Sequence, residues 1–184
     1  GRQFATLAIL FGFPLPLALA VVISTVRPRL RGAYAALAYL PVIIPPVVAI
    51  LLWKFAYDPG ATGLFNALLA GIGIDPLPWL NSATLAMPAI VLQATWAGAG
   101  TSVLIYLAAL TAVRPDLYEA AMLDGAGPVR RLIDVTLPAI RDVIVVNIVL
   151  TLILTFNYFD IIWVLTKGGP QSATHIFPTK IFET

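Results

Sequence analysis

Four long apolar segments dominate the pattern along this chain, over residues 4–26, 33–57, 84–110 and 143–166. A helix rises about 1.5 Å per residue, so about 20 residues cross a hydrocarbon core of about 30 Å. Each segment exceeds that length. The pattern therefore predicts four membrane-spanning helices in a single transmembrane domain that covers residues 1–184.

Prolines interrupt two of these segments. Pro14 and Pro16 are expected to kink the first helix, which membrane helices tolerate where neighbours satisfy the freed backbone groups. Pro41, Pro45 and Pro46 lie near the middle of the second segment. They indicate either a kinked helix that packs against its neighbours or a broken helix that lines a pathway.

Two loops are predicted on the outer side of the membrane. Residues 58–83 are rich in Gly and Pro and contain no Lys or Arg, and residues 167–184 form the second loop. The apolar stretch from Gly63 to Ile72 is too short to span a bilayer. It is expected to lie on the outer membrane surface.

A polar loop, residues 111–142, separates the third and fourth apolar segments. Asp116 is expected to cap a first helix, with Glu119 reaching back to it three residues later. Gly125 then supplies a left-handed residue that ends this helix, and Pro128 begins a second one. The pattern predicts a helical hairpin over residues 116–138, which either docks a partner protein or only connects two spans.

Composition places the chain in the membrane class. Hydrophobic residues make up 60% of the sequence and charged residues 11%, and the mean hydropathy is +0.93. The predicted fold class is therefore all-α, a polytopic membrane protein. Cysteine is absent and His175 is the only histidine, which argues against an enzyme and against a thiolate or histidine metal site. The sequence also lacks a Gly-rich phosphate loop followed by Lys and Ser or Thr, so no nucleotide site is expected.

The basic residues predict an orientation. One side of the membrane holds seven arginines: Arg27, Arg29, Arg31, Arg114, Arg130, Arg131 and Arg141. The other side holds Arg2, Lys54, Lys167 and Lys180. The positive-inside rule places the arginine-rich side and its polar loop in the cytoplasm. Both ends of the chain are then outside.

A few polar and aromatic residues within the spans are candidates for a substrate pathway. Gln93 and Trp96 lie in the third segment, and Tyr158 and Asp160 lie in the fourth. A polar solute can be bound by hydrogen-bonding side chains together with an aromatic face, and these residues supply both. For each of them a hydrogen bond or contact between helices is an equally good explanation.

The polar loop carries a resemblance to a known family. Its pattern of Glu-Ala-Ala, then Gly, then Leu-Pro resembles the cytoplasmic EAA loop of binding-protein-dependent ABC importer permeases, whose fold is the type I helical bundle. In that family the loop forms a coupling helix that sits in a cleft of the ATP-binding subunit. The matching residues here are Glu119, Ala120, Ala121, Asp124, Gly125, Ala126, Leu137 and Pro138.

A second motif, LTKGGP from Leu165 to Pro170, resembles the end of the fifth span in carbohydrate importers of the maltose-permease type. Relatives often carry a Phe-Asn pair ahead of it, matched here by Phe156 and Asn157. The resemblance therefore adds Asn157 to the candidate substrate residues. Permeases of this family usually have six or more spans, so a chain with four is expected to be a fragment.

The resemblance also implies partners and a location. Such permeases work with a second homologous permease chain, two copies of an ATP-binding subunit that holds ATP and Mg, and an extracytoplasmic solute-binding protein. No cofactor and no nucleic acid is expected on this chain itself. The implied location is the cytoplasmic (inner) membrane of a bacterium or archaeon, in contact with membrane lipid.

Two other functions are compatible with the residues alone. An ion-coupled transporter or channel would use Asp160 as its cation site, although such proteins usually carry ionisable residues on several spans. A membrane scaffold would use the hairpin only to recruit a cytoplasmic protein. That second alternative leaves the polar residues of the third and fourth segments without a role.

Overall fold

The computed structural model describes residues 2–60, 62–155 and 164–166, and these residues form an all-helical bundle. A helical turn is also present at 164–166. The helices are α1 (Arg2–Gly12), α2 (Pro14–Thr25), α3 (Pro28–Ile43), α4 (Pro46–Ala56), α5 (Leu64–Ala70), α6 (Ala86–Ala112), α7 (Pro115–Leu123), α8 (Pro128–Arg131), a π-helical segment (Leu132–Thr136), α9 (Leu137–Ala139) and α10 (Arg141–Thr155).

Helix α6 is the centre of the bundle. It packs against α1, α2, α3, α4 and α10. One apolar cluster lies near its start, around Ile90 and Ile50, and a second lies near its end, around Val103 and Ile23. The sequence predicted a span over 84–110, and the helix in the structure runs from Ala86 to Ala112.

The second apolar segment forms two helices that meet at a sharp bend, rather than one continuous helix. Helix α3 begins at Pro28, earlier than predicted, and α4 leaves it at an angle of 93°. Pro45 and Pro46 lack backbone N–H donors, and Ile44 before them is extended (φ −72°, ψ 127°). The proline pair therefore ends one helix and begins another, whereas Pro41 is accommodated inside α3.

The first apolar segment is also divided, as its prolines predicted. Helix α1 ends at Gly12 and α2 begins at Pro14, so the interruption is at Phe13. Because proline is favoured at the first position of a helix, the break falls before Pro14 and leaves Pro16 inside α2.

Helix α6 is the one described helix that is long and apolar enough to cross a membrane alone. Two bent pairs reach that length when each is taken together: α3 with α4, and Pro128–Ala139 with Arg141–Leu154, which are bent by 71°. By length and composition the described residues thus supply up to three crossings. The four-span topology stays a prediction, because the fourth apolar segment includes residues 156–163, outside the described part of the chain.

Gly100 allows α3 and α6 to approach closely, as small residues do where helices pack together. A Cβ at this position would lie 2.5 Å from the carbonyl oxygen of Ala38 and 2.8 Å from Cα of Tyr39. Both are backbone atoms, which cannot move aside as a side-chain end can. Glycine is therefore required for this crossing.

Large apolar side chains cover much of the outer surface of the bundle. Leu37, Ile43 and Phe55 are exposed on α3 and α4, and Val146 and Ile153 are exposed on α10. Soluble monomers rarely expose apolar patches of this extent. These faces have the composition expected where a helix contacts lipid or another transmembrane helix.

Candidate functional site

The first arm of the predicted hairpin is α7, and its start differs from the prediction. Pro115 occupies the first helical position and Arg114 is the N-cap residue, with no side-chain cap hydrogen bond. The prediction that Asp116 caps the helix is therefore wrong. Pro115 at the first position moves Asp116 into the first turn, where its carboxylate pairs with the Arg114 guanidinium.

The end of α7 follows the prediction. Gly125 has φ +74°, the left-handed conformation that glycine adopts most readily. Its N–H donates to the carbonyl of Met122 at 3.0 Å, and the N–H of Ala126 donates to the carbonyl of Ala121 at 2.9 Å. This pair of bonds is a Schellman motif, in which Ala121 and Ala126 are the two positions that meet across the turn. Ala121 of the Glu-Ala-Ala triplet thus helps to form the turn itself.

The second arm begins and ends where the sequence predicted. Pro128 is the first residue of α8, and α9 contains Leu137 and Pro138 before the chain bends into α10. Between them, Leu132–Thr136 is π-helical. Short π segments occur often at functional sites.

A hydroxyl pair connects the two arms. The Tyr118 and Thr136 hydroxyl oxygens lie 3.0 Å apart. Arg130 also pairs with Asp134 at 3.1 Å on the second arm, although both side chains are exposed and such pairs contribute little stability. The Tyr118–Thr136 contact joins the two arms, whereas the Arg130–Asp134 pair lies within one arm.

The hairpin presents a shallow groove of about 280 Å³ between its arms. Small side chains form its floor, including Ala120, Ala121 and Ala126, and charged side chains, including Asp124 and Arg130, stand at its edges. Leu123 lies next to this groove at the tip of the hairpin and is 90% exposed. A groove with a small-residue floor beside an exposed leucine is suited to contact with another protein.

The structure brings together the residues predicted to couple the chain to an ATPase. All of them lie on the hairpin. Ala121, Ala126 and Leu137 are half-buried, and the exposed members are Glu119, Ala120, Asp124, Gly125 and Pro138.

The predicted substrate residues are only partly described. Gln93 is 1% exposed on α6, and its side-chain oxygen is buried with no hydrogen-bond partner among the described residues. Trp96 lies one turn further along and is half-buried, with its ring centroid 5.5 Å from that of Trp53. Asn157, Tyr158 and Asp160 lie outside the described residues.

An aromatic cluster surrounds the start of α6, at the end of the bundle away from the hairpin. The rings of Trp53, Tyr57, Phe65 and Trp79 have neighbouring centroids 5.1–5.9 Å apart. The Tyr57 hydroxyl donates to the carbonyl of Ala89 at 2.7 Å, which fixes the cluster to α6.

Asn66 organises this end of the protein, and sequence reasoning missed it. Its side-chain N–H₂ donates to the carbonyls of Asp58 and Leu77, both at 3.1 Å. Its oxygen accepts from the Leu77 N–H at 3.0 Å and from the Trp79 indole at 2.9 Å. The sequence signal was an asparagine within the short apolar stretch 63–72, because a buried amide needs hydrogen-bond partners. In the structure Asn66 is fully buried.

A second buried amide connects α6 and α10. Asn147 donates to the Tyr106 hydroxyl at 2.7 Å, and its oxygen accepts from the Ser102 hydroxyl at 3.3 Å. Asn147 thus joins α6 and α10 through side-chain hydrogen bonds. This satisfied amide contrasts with Gln93, whose oxygen has no described partner.

The arginines at the start of α3 and those of the hairpin, which the sequence assigned to one side of the membrane, lie at the same end of the bundle. Arg31 of α3 and Arg131 of α8 line one cavity with the last turns of α2 and α6. The structure therefore agrees with the grouping on which the predicted orientation depends.

Comparison with known proteins identifies the class to which this fold and hairpin belong. The family described as "Binding-protein-dependent transport system inner membrane component" matches residues 9–179. The chain belongs to this family, whose members are transport components and not enzymes.

Several permeases for sugars and related solutes are similar to this chain. The trehalose/maltose transport system permease protein MalF of Thermococcus litoralis is 38% identical over 144 residues, covering 78% of this chain and 48% of the relative. The diacetylchitobiose uptake system permease protein NgcF of Streptomyces coelicolor is 35% identical, covering 83% and 45%. The sn-glycerol-3-phosphate permease UgpA of Yersinia enterocolitica is 37% identical, covering 97% and 60%. The chain thus spans about half the length of such relatives.

The fold is also similar to that of solved transporters. A bacterial alginate ABC transporter, crystallised with an alginate pentasaccharide-bound periplasmic protein, superposes with a TM-score of 0.83 at 32% identity. This match covers 94% of the chain described here and 60% of the solved one. The all-α prediction of an ABC importer permease fold is confirmed.

Proposed function

We propose that this chain is part of the transmembrane subunit of an ATP-driven importer for a sugar or oligosaccharide. It contributes to the translocation pathway, and its hairpin couples that pathway to a separate ATP-binding subunit. Membership of the permease family supports the transport role. The observation that carries the coupling role is the hairpin surface, with its groove of about 280 Å³ and the 90% exposed Leu123.

The hairpin is suited to transmit force because it is held as one body. The Schellman bonds fix the turn, and the Tyr118–Thr136 contact joins the arms. The second arm continues through a single bend into α10. A displacement of the hairpin by a bound ATPase would therefore move a transmembrane helix directly.

The proposed partners follow the family. They are two copies of an ATP-binding subunit that carries ATP and Mg, a second homologous permease chain and an extracytoplasmic solute-binding protein. The solved alginate transporter, which contains a periplasmic binding protein, supports the last of these. The proposed location is the cytoplasmic membrane of a bacterium or archaeon.

The proposed substrate class follows from the relatives and from the residues on α6. Two relatives are named for trehalose and maltose and for diacetylchitobiose, and a similar solved transporter is named for alginate, all of them carbohydrates; a further relative is named for sn-glycerol-3-phosphate. A carbohydrate offers many hydroxyl donors, and the buried Gln93 oxygen has no described partner to accept from. We assign Gln93 and Trp96 to the substrate pathway, together with Asn157, Tyr158 and Asp160.

The importer proposal differs from its two alternatives in one measurable property. An ion-coupled carrier that uses Asp160 would transport without an ATPase. A scaffold would bind a partner through the hairpin without transporting anything. Only the importer requires ATP hydrolysis that is stimulated by a loaded solute-binding protein.

The experiment is to measure that stimulation in the complete complex, reconstituted in lipid, with Glu119→Lys and Asp142→Lys as matched charge reversals. Both carboxylates are exposed, but only Glu119 lies on α7 of the docking hairpin. We expect Glu119→Lys to abolish stimulated hydrolysis, because a reversed charge at a docked surface costs several kcal/mol. Asp142→Lys should retain it. Wild-type stimulation in Glu119→Lys would refute the coupling role.

A further inference from the structure

A cavity of about 410 Å³ lies where the hairpin meets the ends of two transmembrane helices. Its walls come from the last turn of α2, the last turns of α6, the start of α3 and both arms of the hairpin. It is about 27 Å from the aromatic end of α6, because 18 residues separate Ala89 from Leu107 at about 1.5 Å each. The two described substrate candidates also lie apart from it along α6, because 11 residues, or about 16 Å, separate Trp96 from Leu107.

The cavity is positively charged. Arg31 and Arg131 both line it, and no Asp or Glu is among the residues that line it in the described chain. The described ion pairs use other arginines, Arg114 and Arg130. Arginine stays protonated in proteins, so these two charges cannot be removed by losing a proton.

Both guanidiniums have unused hydrogen-bond donors. The Nε atoms of Arg31 and Arg131 are shielded from solvent and have no partner among the described residues. Arg31 donates one N–H to the carbonyl of Ser24 at 2.6 Å, but a guanidinium has five donors. A buried donor without an acceptor is costly, and two cations facing one cavity add to that cost.

The nearby hydroxyl groups do not provide the missing acceptor charge. Ser24, Thr25 and Thr111 donate their hydroxyl protons to carbonyls of their own helices. Tyr118 and Thr136 contact each other. The remaining walls are apolar and include Val21, Leu107, Leu110 and Leu132.

We propose that this cavity binds a phosphate group, held by the Arg31 and Arg131 guanidiniums. Phosphate oxygens match the planar donor geometry of arginine, and charge-assisted bonds of this kind are the strong ones. The source of the phosphate is an anionic phospholipid headgroup or free inorganic phosphate. Basic pockets between transmembrane helices on the cytoplasmic side are typical headgroup sites, and apolar walls suit the glycerol backbone of a lipid. The bound phosphate connects α3 to the hairpin through one ligand.

The test uses the complete importer complex, purified in detergent and depleted of lipid. It is titrated separately with phosphatidylglycerol, with diacylglycerol of the same acyl chains, which has no phosphate, and with inorganic phosphate. Bound molecules are counted by native mass spectrometry, and the thermal unfolding midpoint is followed in parallel. The variants are Arg31→Gln and Arg131→Gln, with the exposed neighbours Arg29→Gln and Arg130→Gln as controls for the lost charge.

We expect saturable binding to the wild type and a loss of about tenfold or more in affinity for Arg31→Gln and for Arg131→Gln. The controls should lose less than about fivefold, as expected for exposed charges. Binding of phosphatidylglycerol alone assigns the site to a lipid, and binding of inorganic phosphate assigns it to the free anion. If a Gln variant fails to assemble, the Lys variant at the same position is used instead. Lysine keeps the positive charge but lacks the planar set of donors that arginine offers to a phosphate.

Two results would overturn the proposal. One is that diacylglycerol binds the wild-type complex as tightly as phosphatidylglycerol does, or that neither phosphatidylglycerol nor inorganic phosphate binds saturably. The other is that the Arg29→Gln and Arg130→Gln controls lose as much affinity as the two cavity variants.

Discussion

At the scale of single residues, two buried amides in this bundle differ in one respect. Both hydrogen-bonding ends of Asn147 are used, by Tyr106 and Ser102, and this amide joins two helices. Gln93 is equally buried, but its oxygen has no described partner. A buried polar atom without a partner costs about 1–3 kcal/mol of stability. We therefore expect Gln93 to serve transport rather than stability.

Gln93→Leu is therefore expected to have opposite effects on stability and transport. Leucine removes the unpaired oxygen at similar volume, which should raise the free energy of unfolding by about 1 kcal/mol or more. It also removes the group we assign to the substrate, so the half-saturation concentration for uptake should rise. Thermal unfolding of the purified complex and radiolabelled sugar uptake in vesicles measure the two effects.

Asn147→Leu is the matched control for this prediction. The same kind of change leaves Tyr106 and Ser102 without their partner, so stability should fall by about 1–3 kcal/mol. If Gln93→Leu lowered stability as Asn147→Leu does and left uptake unchanged, Gln93 would be a packing residue.

At the scale of elements, the hairpin depends on the backbone of one turn. Gly125 has φ +74°, and a Cβ there would meet no atom within 4 Å. The cost of replacing it therefore comes from the backbone alone. Gly127 also has open space around it, but its backbone is ordinary (φ −68°, ψ 172°).

Gly125→Ala is expected to destabilise the hairpin by about 1–2 kcal/mol, since a Cβ strains the left-handed conformation. Gly127→Ala should have little effect, because any residue adopts its conformation. Hydrogen–deuterium exchange over residues 116–138 is the measurement, with an increase of roughly 5–30-fold expected for Gly125→Ala only. Equal protection in the two variants would mean that the turn does not depend on the left-handed residue.

At the scale of the whole molecule, the arginines and the hairpin gather at one end and the aromatic cluster at the other. The positive-inside rule then predicts which end faces the cytoplasm. The chain has no cysteine, so single cysteines can be introduced and labelled without interference. Asp75 and Gly127 are exposed at the two ends.

Asp75→Cys in intact cells is expected to react with a membrane-impermeant maleimide. Gly127→Cys should react only after the membrane is opened, because the hairpin is cytoplasmic in the predicted orientation. Denatured samples labelled in parallel control for expression and for the intrinsic reactivity of each thiol. Labelling of position 127 from outside would reverse the orientation and remove the hairpin from any cytoplasmic ATPase.

Features that depend on neighbours in the sequence could be read from the sequence. The glycine turn at Gly125 and the restart at Pro128 follow from local backbone chemistry, and the structure contains both, together with the long apolar helix α6. The one local error, Asp116 as a cap, arose because Pro115 takes the first helical position. The family resemblance, carried by the same local pattern, is confirmed as well.

What only the tertiary structure decided depends on contacts between distant segments. Pro45 and Pro46 were compatible with a kink or a break, and the break of 93° appeared only with the packed bundle. Asn66 finds its partners 6 to 13 residues away, and Asn147 finds Tyr106 41 residues away. Arg31 and Arg131 share a cavity although 100 residues separate them. Local patterns determine which backbone conformations are available, whereas burial and pairing depend on which surfaces the folded chain brings together.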